Sequence, residues 1–261
     1  MSETTLTGER IDSSAELYQV DLERHRAAYV FALERAAGAV TLDLGCGTGY
    51  GAAELAGAAR HTVAIDRVRP GDAFRRESLS FVRADLAGVP LAADRFDLVV
   101  SFQVIEHLED PTSYLTAIAR AVKNDGVAIL TTPNLALSDR ENPFHVHEYE
   151  SDELSRVLGN YFEDVEMLGV GMSPAVAEYQ AQRLERIRRI TRLDPLGLRK
   201  RLPRGLIDFL FARFSLLVRS GIRESNAGMP DVTTADYPVR PVDDGSLDLL
   251  AVCRRPRSRH A

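Results

Sequence analysis

The stretch that decides the fold is Thr41-Leu-Asp-Leu-Gly-Cys-Gly-Thr-Gly-Tyr50, an apolar run that ends in three alternating glycines. Because glycine has no Cβ, Gly45, Gly47 and Gly49 let the chain turn sharply and let a ligand lie against the main chain. A helical pattern follows at Gly49–Ala59. This order of strand, glycine loop and helix predicts a ligand site at the carboxyl end of the first strand of an open α/β sheet.

Short apolar runs alternate with helical patterns on both sides of this stretch. Runs that are apolar on both faces indicate a mostly parallel sheet with helices on both sides. The predicted strands are Val40–Leu44, Thr62–Ile65, Leu79–Arg83, Phe96–Phe102, Val127–Thr132, Asp164–Val170 and Leu247–Cys253. The predicted helices are Ala15–Ala37, Gly49–Ala59, Thr112–Val122, Ser151–Leu158, Ala177–Arg192 and Leu206–Arg219.

This pattern predicts one domain built in consecutive parts. These are an N-terminal helical cap (1–37), a ligand-binding core (38–171), a helical insertion or lid (172–244), the last strand (245–255) and a tail (256–261). A chain of 261 residues with 45% hydrophobic and 27% charged residues suits a globular protein and excludes a mostly disordered or fibrous one.

Two further acids strengthen the prediction of a nucleoside site. Asp66 ends the second predicted strand and Asp85 ends the third. A carboxylate at the end of the second strand can accept both hydroxyls of a ribose, and Asp85 can accept from an adenine amino group. Helix caps or turn acids would explain any one of Asp43, Asp66 and Asp85, but not three acids on three successive strands beside a glycine loop.

These residues, together with Phe96-Asp-Leu-Val-Val-Ser-Phe-Gln-Val-Ile-Glu-His107, resemble the class I S-adenosylmethionine-dependent methyltransferases. The resemblance is closer to the branch that holds the ubiquinone-biosynthesis O-methyltransferases and many natural-product and sugar methyltransferases. It spans about Asp21 to Gly171. It implies a seven-stranded Rossmann-like sheet, mostly parallel with an antiparallel last strand, and S-adenosyl-L-methionine as the cofactor.

The resemblance also implies roles for individual residues. Gly45 and Gly47 would lie under the methionine part of the cofactor, and Asp66 would hold the ribose. The other cofactor-binding positions are Arg26 at the cofactor's carboxylate, Asp43 in the first strand, Asp85 and Leu86 at the adenine, and Phe102 near the sulfonium. A nicotinamide dehydrogenase is the competing enzyme, since Gly47-x-Gly49-x-x-Ala52 fits the looser dinucleotide fingerprint.

Histidines near the predicted cofactor site are candidates for catalysis. Histidine titrates near neutral pH and suits the removal of a proton from a hydroxyl acceptor. We predict His145 or His147 as this base, with Glu106 and His107 on the opposite wall; the alternative is that Glu106 and His107 only hydrogen-bond neighbouring loops. These four side chains also form an oxygen-plus-imidazole set suited to a divalent cation, but Gln103 stands where related enzymes carry an acid, so no metal is assigned.

A basic segment remains to be explained. From Arg183 to Arg223 twelve Arg or Lys stand against three acids, although the whole chain carries −6. The apolar helix predicted at Leu206–Arg219 suits a lid, a homodimer interface, the wall of an acceptor pocket, or peripheral membrane contact. Nucleic acid is the less favoured partner, because no stacking-aromatic motif accompanies the charge.

The sequence therefore predicts a cytoplasmic S-adenosylmethionine-dependent methyltransferase that O-methylates a small molecule or a sugar-bearing metabolite. Two cysteines and the lack of a signal peptide favour the cytoplasm. The alternative enzyme is an RNA 2′-O-methyltransferase with a divalent metal at Glu106, His107, His145 and His147. A third hypothesis is a non-catalytic module that binds the cofactor and a partner protein.

Overall fold

The computed structural model describes residues 19–70, 72–140, 142–191 and 231–257, which form a mixed sheet flanked by helices. The sheet has eight strands in the order β3-β2-β1-β4-β5-β8-β6-β7. The strands are β1 (Val40–Leu44), β2 (His61–Asp66), β3 (Leu79–Arg83), β4 (Phe96–Phe102), β5 (Val122–Pro133), β6 (Phe162–Val170), β7 (Val239–Pro241) and β8 (Asp248–Pro256).

Five α-helices lie among the described residues. They are α1 (Gln19–Ala36), α2 (Tyr50–Ala58), α3 (Thr112–Ala121), α4 (Ser151–Leu158) and α5 (Pro174–Thr191). Side chains of α1 and α5 pack on one face of β4, β5 and β8, whereas α3 and α4 pack on the opposite face. The sheet is therefore covered on both sides, which explains why its central strands are mostly apolar.

The strand directions confirm the predicted Rossmann-like arrangement. Strands β1 to β5 pair in parallel, and β8 lies antiparallel between β5 and β6. The structure has one strand more than the seven predicted, because β7 adds a short antiparallel edge to β6. This strand falls in the segment 172–244 that was predicted as a helical insertion, and Pro241 is tolerated there because an edge strand needs fewer backbone donors.

Helix α1 packs directly against the sheet. The hydroxyl of Tyr237, which is 1% exposed, donates to the carbonyl of Val20 at 2.9 Å. The predicted helix Leu206–Arg219 and most of the basic segment lie outside the described residues. None of the described helices is long and apolar enough to span a bilayer.

Candidate active site

The glycine loop opens the site at the carboxyl end of β1. Gly45 has φ +92°, and a Cβ built on it would lie 2.4 Å from Cγ2 of Val104, so any side chain there would strain the backbone and meet its neighbour. Gly47 has φ +55°, and its Cβ would meet no atom within 4 Å. The loop is thus packed on one side at Gly45 and open at Gly47, as a surface that receives a ligand needs to be.

Asp66 connects the end of β2 to this loop. One of its carboxylate oxygens accepts the amide N–H of Gly47 at 2.9 Å, and the other accepts the amide N–H of Val68 at 2.9 Å. Each carboxylate oxygen has more than one acceptor direction. Asp66 can therefore hold the loop in place and still accept ribose hydroxyls, as the sequence predicts.

Asp85 stands at the end of β3 but is not alone there. Nη2 of Arg67 donates to its two oxygens at 2.9 and 2.8 Å, and both side chains are well exposed. Leu86 packs next to the glycine loop, with Cδ1 3.4 Å from the position of a Cβ on Gly45. An adenine at this place would contact Leu86 and the Asp85 carboxylate, which is already paired with Arg67. Arg67 was not among the residues predicted from the sequence.

Asp43 lies under the glycine loop and is fully buried. Its Oδ2 accepts a hydrogen bond from the hydroxyl of Tyr29 at 3.1 Å, whereas its Oδ1 has no hydrogen-bond partner. Burial raises the pKa of Asp43 to about 7, although the Tyr29 hydrogen bond acts in the opposite direction. The Tyr29 ring packs edge-on against Phe102, with ring centroids 4.8 Å apart, so α1 reaches the wall predicted for the sulfonium.

Arg26 lies one turn before Tyr29 on α1. Its Nε donates to Glu54 at 2.8 Å and its Nη1 donates to Glu23 at 3.0 Å. These two carboxylates hold the guanidinium between α1 and α2. Its pairing with the cofactor's carboxylate stays a prediction.

The carboxyl ends of β4 and β5 bring three of the four predicted catalytic residues together. Ligand atoms of Glu106, His107 and His145 all lie within 4.8 Å of one another. The His107 and His145 rings meet edge-on with centroids 5.2 Å apart. Glu106 is fully buried; Thr132 donates to its Oε2 at 3.0 Å, and its Oε1 has no hydrogen-bond partner. Burial raises the pKa of Glu106.

Hydrogen bonds fix the orientation of both histidine rings. Nδ1 of His107 lies 3.0 Å from the carbonyl oxygen of Phe144, which can only accept, so this nitrogen carries the proton. Nδ1 of His145 lies 2.6 Å from Glu148, and its Nε2 lies 2.7 Å from the amide of Asn142. Both rings therefore present Nε2 as the acceptor nitrogen.

His147 points away from this cluster. Its Nε2 lies 2.8 Å from Glu153 on α4, and the side chain is 49% exposed. The chain bends at Val146, so the rings of His145 and His147 do not share one side, as residues i and i+2 of an extended strand would.

Comparison with known proteins identifies the family. The family profile described as "Methyltransferase domain" matches residues 17–173. The chain belongs to the class I S-adenosylmethionine-dependent methyltransferases. A probable S-adenosylmethionine-dependent methyltransferase of Mycobacterium tuberculosis is 32% identical over 267 residues, which cover 97% of this chain and 90% of that relative.

Two further comparisons cover different shares of the chain. A ubiquinone biosynthesis O-methyltransferase of Ruegeria sp. is 30% identical over 110 residues, which cover 38% of this chain and 42% of the relative. A putative methyltransferase solved in complex with the Haloferax volcanii Trm112 methyltransferase activator has a TM-score of 0.57 at 17% identity, over 94% of this chain and 96% of that chain. This last likeness confirms the fold.

The cofactor of the methyltransferase is S-adenosylmethionine. The residues at the glycine loop fit it, because the main chain is open at Gly47 and Asp43 offers an unpaired carboxylate oxygen. When bound, the cofactor supplies a methyl group activated by a sulfonium.

Glu106, His107 and His145 also fit a divalent cation. One oxygen and two imidazole nitrogens are ligands that divalent transition metals accept. In both histidines an oxygen acceptor holds Nδ1–H, the arrangement that directs Nε2 toward a metal in known sites, and Oε1 of Glu106 is buried without a partner. His147, the fourth ligand predicted from the sequence, lies apart from the other three.

Proposed function

We propose that the methyltransferase transfers the cofactor's methyl group to a hydroxyl oxygen of a small molecule or a sugar-bearing metabolite, with His145 as the general base. The observation that carries the proposal is the cluster of Glu106, His107 and His145 at the carboxyl ends of β4 and β5. Phe102, at the end of the same strand β4, is the residue predicted near the sulfonium.

The contacts of His145 suit it for this role. Glu148 lies 2.6 Å from Nδ1, so its carboxylate holds the ring in one tautomer and stabilises the imidazolium that forms. Nε2 already receives a hydrogen bond from Asn142. An acceptor hydroxyl that replaced this amide would present its proton to Nε2.

The reaction then balances as a displacement with one proton transfer. The hydroxyl oxygen forms a bond to the methyl carbon while the bond between that carbon and sulfur breaks. The hydroxyl proton goes to Nε2 of His145 and later to water, which leaves a methyl ether and S-adenosylhomocysteine. The protein contributes mainly by holding the acceptor in line at attack distance.

The two loop histidines provide a matched test. His145→Ala should lower turnover by about 10²- to 10⁴-fold, the usual loss of a general base, with an unchanged affinity for S-adenosylhomocysteine. His147→Ala, in the same loop but turned toward Glu153, should keep turnover within a few-fold of the natural protein. Equal turnover of both variants would remove His145 from its assigned role.

A second candidate is metal-assisted methylation of a hydroxyl, including the 2′-hydroxyl of RNA. It is favoured by the buried Oε1 of Glu106, which has no partner and lies beside the two imidazoles. Mg²⁺, Mn²⁺ or Co²⁺ should then raise the thermal midpoint of the protein and not that of Glu106→Gln. Turnover that survives exhaustive chelation would leave His145 as the base without a metal.

The acceptor class can be found with labelled cofactor. Fractionated cell extract incubated with the enzyme and methyl-labelled S-adenosylmethionine should yield label in small metabolites. Label in RNA would favour the second candidate, and label in lipid would favour membrane contact through the basic insertion. Cofactor binding with no transfer to any fraction would favour the non-catalytic reading.

We further propose the cytoplasm as the location, in agreement with two cysteines, Cys46 and Cys253, that are both unpaired and buried. A homodimer through the apolar insertion helix stays a proposal, and sedimentation of the purified protein tests it.

A further inference from the structure

Tyr29 is wedged between the first strand and the helix that follows the glycine loop. It is 4% exposed, and its ring packs edge-on against Phe102 and Tyr50. A Cβ on Gly51 would lie 2.0 Å from Cζ of Tyr29, so the ring fills the space that a side chain at position 51 would need. The packing therefore fixes the ring, and its hydroxyl donates a hydrogen bond to Oδ2 of Asp43.

Among the described residues, the groups that face Asp43 bring it no positive charge. Tyr29 faces it from α1, Tyr50 from α2, Cys46 from the loop and Asp66 from β2. Burial raises the pKa of Tyr29, Tyr50 and Cys46, so these three groups are neutral at physiological pH.

The charged side chain next to this shell, Arg26, is already paired with two carboxylates. Behind Tyr50, the guanidinium of Arg26 is held by Glu23 and Glu54. Oδ1 of Asp43 is a buried acceptor that has no hydrogen-bond partner among the described residues, so a positively charged group of a bound ligand would satisfy it.

We propose that Tyr29 is a positioning residue for the cofactor: its hydroxyl holds Oδ2 of Asp43, so that Oδ1 receives the cofactor's α-ammonium and cofactor binding is coupled to release of a proton. The inference rests on the assignment of Asp43 to the cofactor site. In the coupled step the protonated Asp43 loses its proton to solvent, and the resulting carboxylate pairs with the ammonium group.

This coupling has a defined pH dependence. Since the pKa of Asp43 is about 7 in the protein without cofactor, a growing share of the protein below that pH has a neutral Asp43 that cannot pair with an ammonium. The affinity should then fall about tenfold for each pH unit below 7 and level off above it.

Tyr29→Phe tests the role of the hydroxyl without removing the ring. It deletes a hydrogen bond that favours the ionised Asp43, and such a bond to a charged group is worth about 1.5–3 kcal/mol, so the midpoint should rise by about one to two pH units. For a one-unit rise the affinity for S-adenosylhomocysteine falls about fivefold at pH 7 and about ninefold at pH 6, and it is almost unchanged at pH 8.5. A loss of packing alone would weaken binding equally at every pH.

The measurement is calorimetric titration with S-adenosylhomocysteine from pH 5.5 to 8.5, in buffers of different ionisation enthalpy so that the released proton is counted. Tyr237→Phe is the matched control, because it removes a buried hydroxyl that also bonds α1, at Val20, and not at Asp43. It should leave the midpoint where it is. An unchanged midpoint in Tyr29→Phe, or the same shift in Tyr237→Phe, would overturn the proposal.

Asp43→Asn separates the proposed role of Tyr29 from the assignment of Asp43 to the cofactor site. The variant should bind S-adenosylhomocysteine weakly and without the step near pH 7. If it binds as tightly as the natural protein, Asp43 does not meet the cofactor. If the affinity of the natural protein falls below pH 7 and Tyr29→Phe does not shift the midpoint of this fall, only the role of Tyr29 is wrong.

Discussion

The buried carboxyl of Asp43 should lower the stability of the cofactor-free protein at neutral pH. Its pKa rises from 3.8 to about 7 on folding because burial disfavours the charge. The folded state therefore binds more protons than the unfolded state between about pH 4 and pH 7, and this contribution to stability is lost as the pH rises through that window.

The expected size follows from the two pKa values. At 1.36 kcal/mol per unit, a shift of about 3 units amounts to about 4 kcal/mol in full, of which about 2.5 kcal/mol develops between pH 5 and pH 8. Asn does not ionise, so the free energy of unfolding of Asp43→Asn minus that of the natural protein should increase by about 2.5 kcal/mol over this range. Effects of other groups, and of the amide itself, cancel in the comparison.

Urea unfolding at pH 5, 6, 7 and 8 measures this difference. Asp85→Asn is the control, because its carboxylate is 59% exposed in a surface ion pair and surface substitutions usually stay within about 0.5 kcal/mol. If the difference in the free energy of unfolding between Asp43→Asn and the natural protein is constant from pH 5 to pH 8, the claim that burial raises the pKa of Asp43 is wrong.

Two further substitutions test the packing around the cofactor loop. Gly51→Ala places a Cβ 2.0 Å from the Tyr29 ring, so it should lower the free energy of unfolding by about 1–3 kcal/mol. By contrast, a Cβ on Gly57 of the same helix meets open space, so Gly57→Ala should stabilise the protein by up to about 1 kcal/mol. Urea unfolding compares the two variants. Equal effects would contradict the close packing of the Tyr29 ring on Gly51. Arg67→Ala releases Asp85 and should weaken S-adenosylhomocysteine binding a few-fold in calorimetry, whereas an unaltered affinity would show that Asp85 does not depend on Arg67.

Most of the sheet could be predicted because its strands are short, apolar on both faces and bounded by polar turns. The predicted ranges for β1, β3 and β4 agree with the structure at both ends. β5 begins earlier, at Val122, because Lys123-Asn-Asp-Gly126 looks like a turn in sequence but continues the strand through a register shift opposite Phe96. β7 was missed because three residues beside prolines carry no alternating pattern.

The placement of Asp43, Asp66 and Asp85 toward one edge of the sheet could be predicted, because the carboxyl ends of parallel strands meet at the same edge. The partners of those acids could not. Tyr29 reads as one more apolar position of α1, and its contact with Asp43 exists only once α1 packs against β1 and β4. Arg67 is likewise one exposed arginine among several until β2 and β3 pair.

The choice between the two loop histidines depended on three-dimensional structure for a similar reason. Two residues apart in an extended loop, His145 and His147 would share one side, and the sequence does not reveal the bend at Val146 that separates them. The sequence therefore does not say which histidine faces Glu106, and in the structure it is His145.

Calorimetric titration of the natural protein and Asp66→Ala with S-adenosylhomocysteine tests the central claim most directly. The natural protein should bind one equivalent, and the variant should bind about 10- to 100-fold more weakly, because it loses hydrogen bonds between a carboxylate and the ribose hydroxyls. Absence of binding to the natural protein, or equal affinity in Asp66→Ala, would contradict the placement of the nucleoside between the glycine loop and the end of β2.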